Sequence, residues 1–129
     1  MVYYWIWWRR TTYPIENYVF ILGKKENPYP YIKACDLYIQ PSRFEGKAVT
    51  VREAQILNKP VIITNYPTAA SQIEDGRDGI IVPMDNWECA KGIYNIIKDI
   101  DVQQALIEFT KNNNYVNNDE VQKIYDLME

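Results

Sequence analysis

Pro60-Val61-Ile62-Ile63-Thr64 is an apolar run without interruption, set between the polar pair Asn58-Lys59 and the turn residues Tyr66-Pro67. A strand with one wet face alternates apolar and polar residues, whereas a run without alternation belongs to a strand covered on both faces, the usual state in a parallel sheet. Upstream, Ala48 to Leu57 predicts a helix with Val49, Ala54, Ile56 and Leu57 toward the core, ended by Asn58-Lys59. Further out, Tyr18-Val19-Phe20-Ile21-Leu22, stopped by Gly23, reads as another fully covered strand. Pro28 to Ala34 predicts a short helix begun at proline, which leads through Asp36 to the strand Leu37-Tyr38-Ile39, closed by Pro41 and Ser42. Downstream come a helical segment over Ala69 to Glu74 and a fourth strand, Gly79-Ile80-Ile81-Val82-Pro83. Asp85 suits the N-cap of a helix carrying Ala90, Ile93, Ile96 and Ile97, and Asp101 to Lys111 and Asp119 to Met128 predict two more helices. Strands alternating with helices make this an α/β chain with a mainly parallel sheet, in which ligands lie beyond the carboxyl ends of strands.

The 129 residues suit one domain, able to bury about two-thirds of its unfolded surface. Its 14 Lys and Arg against 17 Asp and Glu give a net charge of −3, and the cations are scattered, which excludes a broad nucleic-acid footprint. The absence of histidine removes any His general base, and Cys35 and Cys89 belong to no CxxC pair. A reduced, cytoplasmic setting fits these two thiols. Met1 to Arg10, MVYYWIWWRR, is too short to span a bilayer and carries its positive charges after the apolar run, so neither a signal peptide nor an anchor is expected of it. Two readings of it stay open, a covered or edge strand and an exposed aromatic patch that meets a partner or a membrane surface.

Glu45-Gly46-Lys47-Ala48-Val49-Thr50-Val51-Arg52-Glu53 is the stretch with the most chemistry. It places one acid in the loop before a helix and a second about one turn inside it. The first-turn amides of a helix lack partners within the helix and carry the positive end of its dipole, so they suit a diphosphate. Carboxylates on either side suit hydroxyl groups, and one ligand spans both if it runs from sugar through diphosphate to ribose. Two acids at this spacing also occur simply as charges that favour a helix start.

Ala34-Cys35-Asp36, Pro41-Ser42-Arg43-Phe44-Glu45-Gly46, Glu53-Ala54, Pro60-Val61-Ile62 and Asp75-Gly76 with Gly79 follow one another in this order. The set resembles the carboxyl-terminal, donor-binding domain of family 4 glycosyltransferases, enzymes of GT-B architecture with two Rossmann-like domains. The resemblance runs from about Asn17 to Lys98. It implies that Glu45, the catalytic-site acid, holds hydroxyls of the transferred sugar and that Glu53 holds those of the ribose. The amides of Gly46, Lys47 and Ala48 would face the sugar and distal phosphate, those of Val49 and Thr50 the diphosphate, and Gly23-Lys24 would lie near the base. It further implies retaining transfer from a UDP- or GDP-sugar to a glycan or lipid-linked acceptor, as in polysaccharide biosynthesis, with no metal and no cofactor. The setting it implies is the cytoplasm, including the inner face of a membrane with peripheral contact. Bland roles are expected for other residues: Lys47 as a solvated loop lysine, Arg52 as an exposed helix residue, Asp36 at a strand start, and Trp87 and Tyr94 in packing.

The chain departs from the family pattern at its amino end. Residues 1–16 form an atypical aromatic and basic segment, 17–98 carry the motifs, and 99–129 the terminal helices. The acceptor domain, two opening strands, the glycine-rich turn and the Arg and Lys that grip the diphosphate are not recognisable, and Arg9-Arg10-Thr11-Thr12 stands in place of the turn. Lys47-Ala48 replaces the aromatic and small residues usual after Glu-Gly, and Ala69-Ala70-Ser71-Gln72 lacks a common glycine and glutamate. The expectation is one partial donor-binding domain over 1–129 that binds a nucleotide sugar and is inactive in transfer until joined to an acceptor domain. The alternative is a non-catalytic interaction module that docks a separate acceptor-domain chain, or a second copy of itself, through the aromatic amino terminus. A phosphate-accepting receiver domain fits poorly, because the acids expected at its first strand end are missing.

Overall fold

The computed structural model describes residues 26–45, 49–113 and 126–127, with the backbone alone at 49. Its elements run α1 (Tyr29–Ala34), β1 (Tyr38–Gln40), α2 (Val49–Ile56), β2 (Val61–Thr64), α3 (Ala69–Gln72), β3 (Ile80–Val82), α4 (Asn86–Lys98) and α5 (Ile100–Asn112). Among the described residues the strands form one sheet in the order β1-β2-β3. Both pairings are parallel, with Tyr38 opposite Val61 and Ile62 opposite Ile80. The chain is thus an α/β fold in which helices flank a parallel sheet.

The opening apolar run is explained by the two faces of β2. Val61 and Ile63 pack with Ile32 of α1, Val51 and Ala54 of α2, and Tyr66, Ala69 and Ile73. Ile62, pointing the other way, packs with Leu37, Val82 and Cys89, and Ile93, Ile96 and Ile97 of α4 close over it. All three β2 isoleucine and valine side chains have no exposed surface. Burying a side chain of this kind stabilises by roughly 1.5–3 kcal/mol, so both faces must be apolar. Helix α4 approaches closely because Gly92 lies over β3, where a Cβ would come within 2.8 Å of Val82 Cγ1.

Helix α2 stops as the sequence indicates. Asn58 adopts φ 58°, the Asn58 amide donates to the Gln55 carbonyl and the Lys59 amide to that of Ala54, each at 3.0 Å. This Schellman turn satisfies the last carbonyls and delivers the chain through buried Pro60 into β2. Asp85 caps α4 by accepting from the Glu88 amide at 3.0 Å.

Several expectations need correction. The buried face of α2 is Val51, Ala54 and Gln55, at spacing i, i+3, i+4, while Ile56 and Leu57 are only half-buried. Gln55 is tolerated inside because its Nε2 donates to the Asp78 carbonyl at 3.1 Å, although its Oε1 has no partner among the described residues. On α4 the buried side is Cys89, and Ala90 is exposed. Arg52 is half-buried. Strand β1 starts at Tyr38 and includes Gln40, and α3 ends at Gln72 with Ile73 extended. Trp87 and Tyr94, expected in core or surface packing, are on the surface, where the Lys98 ammonium lies 4.9 Å from the centre of the Tyr94 ring. The run Met1 to Arg10, the strand Tyr18 to Leu22, Gly23-Lys24 and nearly all of the helix expected over Asp119 to Met128 lie outside the described residues. Both thiols are buried, Cys35 donating to the Ile32 carbonyl at 2.9 Å, and burial pushes both up from the usual thiol range.

Candidate functional site

Strands β1 and β2 end side by side, and the loops leaving them build the neighbourhood of Glu45. The Thr64 hydroxyl, at the last residue of β2, donates to the Ser42 carbonyl. Ser42 Oγ in turn donates to Glu45 Oε1 at 2.6 Å, and Thr68 Oγ1, just before α3, donates to the Glu45 carbonyl at 2.8 Å. Backbone and carboxylate of Glu45 are therefore both tied to the carboxyl edge of the sheet. Thr64 is the polar last residue of β2, and Ser42 lies two residues beyond the end of β1.

Glu53 lies one turn inside α2 and is reached from the other side. Tyr29, the first residue of α1, donates its hydroxyl to Glu53 Oε1 at 2.7 Å. Between the acids runs a third set of bonds, in which Gln40 Oε1 accepts from Tyr38 at 2.7 Å and from Thr50 Oγ1 at 3.1 Å. Tyr38 and Gln40 share a face of β1 because side chains alternate along a strand. Thr50 belongs to the first turn of α2, so this set fixes the helix start against the strand end.

The electrostatics agree with a common site. Burial is the main reason that the Tyr38 phenol is pushed up to about 12; the Thr50 hydroxyl opposes this, and the charges of Glu53 and Glu45 both add to it. Tyr66 is also raised to about 12, by burial and then by Glu45, and its hydroxyl donates to Gln72 Oε1 at 2.6 Å. Burial, the hydrogen bond to Glu53 and its charge raise Tyr29 to about 12. These phenols are donors throughout the physiological range. The first turn of α2 holds no acidic residue, so no side chain there offsets the positive end of the helix.

Beside the Glu45 loop opens a cleft of about 550 Å³ lined by Arg43, Phe44, Pro67, Met84, Asp85 and Asn86. Its size is within the range of small-molecule sites. Phe44 is 82 % exposed at its mouth.

Of the residues expected from sequence, Thr50, Glu53 and Glu45 all act on the Tyr38 phenol, and the Val49 backbone opens α2. Gly46, Lys47, Ala48, Gly23 and Lys24 lie outside the described residues. Tyr29, Tyr38, Gln40, Thr64 and Thr68 were not expected here. For Gln40 and Thr64 a signal existed, a polar residue ending an apolar strand. Among the described residues no three His, Cys, Asp or Glu side chains cluster, and no helix is long and apolar enough to cross a membrane.

The family model described as "Glycosyl transferases group 1" matches residues 9–113. An uncharacterized glycosyltransferase of Methanocaldococcus jannaschii is 37% identical over 59 residues, 46% of this chain and 14% of that protein. The N-acetylgalactosamine-N,N'-diacetylbacillosaminyl-diphospho-undecaprenol 4-alpha-N-acetylgalactosaminyltransferase of Campylobacter jejuni is 27% identical over 93 residues, 70% of this chain and 26% of that protein. Among solved structures, Anabaena HepE in complex with UDP and glucose superposes with a TM-score of 0.66 at 27% identity, over 75% of this chain and 27% of that one. The chain spans about a quarter or less of the length of these curated relatives.

Proposed function

The chain belongs to the glycosyl transferases group 1 family, and on that premise we propose that it is the nucleotide-sugar-binding portion of a family 4, retaining sugar transferase. The observation that carries this reading is the shared frame of the two acids. Glu45 and Glu53 flank the start of α2 at the carboxyl edge of a parallel sheet, and both charges act on Tyr38. In this reading Glu45 accepts from hydroxyls of the transferred sugar, for which the adjoining cleft leaves room, and Glu53 accepts from the ribose diol. The amides of Val49 and Thr50 meet the diphosphate.

When the sugar–phosphate bond breaks, negative charge grows on the departing diphosphate, and fixed donors at a helix start stabilise it without rearrangement. Binding through these groups requires no divalent cation and no cofactor. The acceptor hydroxyl, on a glycan or a lipid-linked glycan, would be presented by an acceptor domain, in the cytoplasm or at the inner face of a membrane. The UDP and glucose held by HepE favour a uridine donor as the first to test.

The test is calorimetric titration of the full chain with UDP-glucose and GDP-mannose in the presence of EDTA. Saturable binding is expected, with Glu53→Ala weakening it by about ten- to a hundredfold, the loss of a hydrogen bond to a charged group. No saturable heat with either nucleotide, or full dependence on added metal, overturns the proposal.

A further inference from the structure

We propose that Tyr29 is a positioning residue for Glu53, holding its carboxylate in the plane that lets it accept both hydroxyls of a vicinal diol, and so setting preference for ribose over deoxyribose. This rests on the donor-binding reading of Glu53. Tyr29 opens α1, a helix of six residues, and its amide is fixed by Asn27 Oδ1 at 3.2 Å. The ring packs against the cluster that contains Val51 and Ala54, the α2 residues two before and one after Glu53. The phenol therefore arrives from a rigid direction, 2.7 Å from one carboxylate oxygen.

A glutamate side chain has several rotatable bonds, and fixing one oxygen removes most of that freedom before any ligand arrives. A carboxylate offers about four acceptor positions, and the phenol occupies one of them on Oε1. The high titration point of Tyr29 keeps it a donor at any working pH. Phenylalanine at this position would preserve the packing and delete only the hydrogen bond.

The test compares dissociation constants of UDP with 2′-deoxy-UDP, and of GDP with 2′-deoxy-GDP, for the full chain and for Tyr29→Phe. The wild type is expected to prefer the ribose form of the nucleotide it binds by about tenfold. In Tyr29→Phe this preference should fall to about threefold or less, the ribose form losing more affinity than the deoxy form, which keeps only one hydroxyl on the carboxylate. A preference that stays the same or grows in the variant overturns the role of Tyr29 and leaves that of Glu53 standing. Equal weakening of both forms also overturns it, because a merely structural residue would act that way. A wild type that binds the nucleotide but does not distinguish ribose from deoxyribose removes the diol role of Glu53, and the positioning role falls with it. A wild type that binds no nucleotide sinks the donor-binding reading itself.

Discussion

Glu45 and Glu53 are chemically alike and differ in what holds them. Ser42 and Thr68 tie the first to strand-end loops, and Tyr29 braces the second from a separate helix. Burial, above all, pushes Tyr29, Tyr38 and Tyr66 up to about 12 in the fold, against about 10 for a free phenol. Between these values the unfolded chain has lost protons that the folded chain keeps. Stability from this source is therefore complete below pH of about 10 and is lost as pH rises toward about 12. The urea midpoint should drop across that interval, and Tyr38→Phe should flatten the drop; an unchanged slope in the variant would assign the loss to other groups. Both acids were legible in the sequence, because loop position and helix register can be read from local pattern. Tyr29 was not, since it lies 24 positions from Glu53 and only folding brings the two together.

Elements were legible where local pattern and packing agree. The run of β2 announced its two covered faces, and Asn58-Lys59 announced the end of α2. Gln55 escaped because polarity suggests a wet face, and its burial depends on the Asp78 carbonyl of a distant turn. That turn explains a glycine. A Cβ at Gly79 would lie 2.7 Å from Ile73 Cδ1, 2.9 Å from its Cγ2 and 3.1 Å from the Val61 carbonyl oxygen. The side-chain contacts can yield by rotation of Ile73, but the carbonyl belongs to the central strand. Gly79→Ala should thus cost about 1–3 kcal/mol, the usual penalty for overpacking. Chemical denaturation would measure this, and adding Ile73→Val should return part of the loss but not all of it. A neutral Gly79→Ala would mean that the turn moves freely away from β2.

At the scale of the molecule, the alternation of strands and helices gave the α/β architecture, and the ordered motifs gave the family. What composition could not convey is how the layers divide, with α1 and α2 over one face of β2 and α4 over the other. The two cysteines lie beside different helices, Cys35 also lining a cleft with Ile97 and Ile100. Cys35 follows α1, the helix that carries Tyr29, and Cys89 faces the sheet from α4. A buried thiol is attacked by an aromatic disulfide reagent only when its surroundings open, so the labelling rate becomes a clock for the segment beside each cysteine. A nucleotide gripped by Glu53 against Tyr29 should hold α1 in place and slow labelling of Cys35 at its end in proportion to ligand occupancy, leaving Cys89 near its unliganded rate. Mass spectrometry of the labelled chain would read both rates in one sample, and equal protection of the two thiols would mean that the layers open only together.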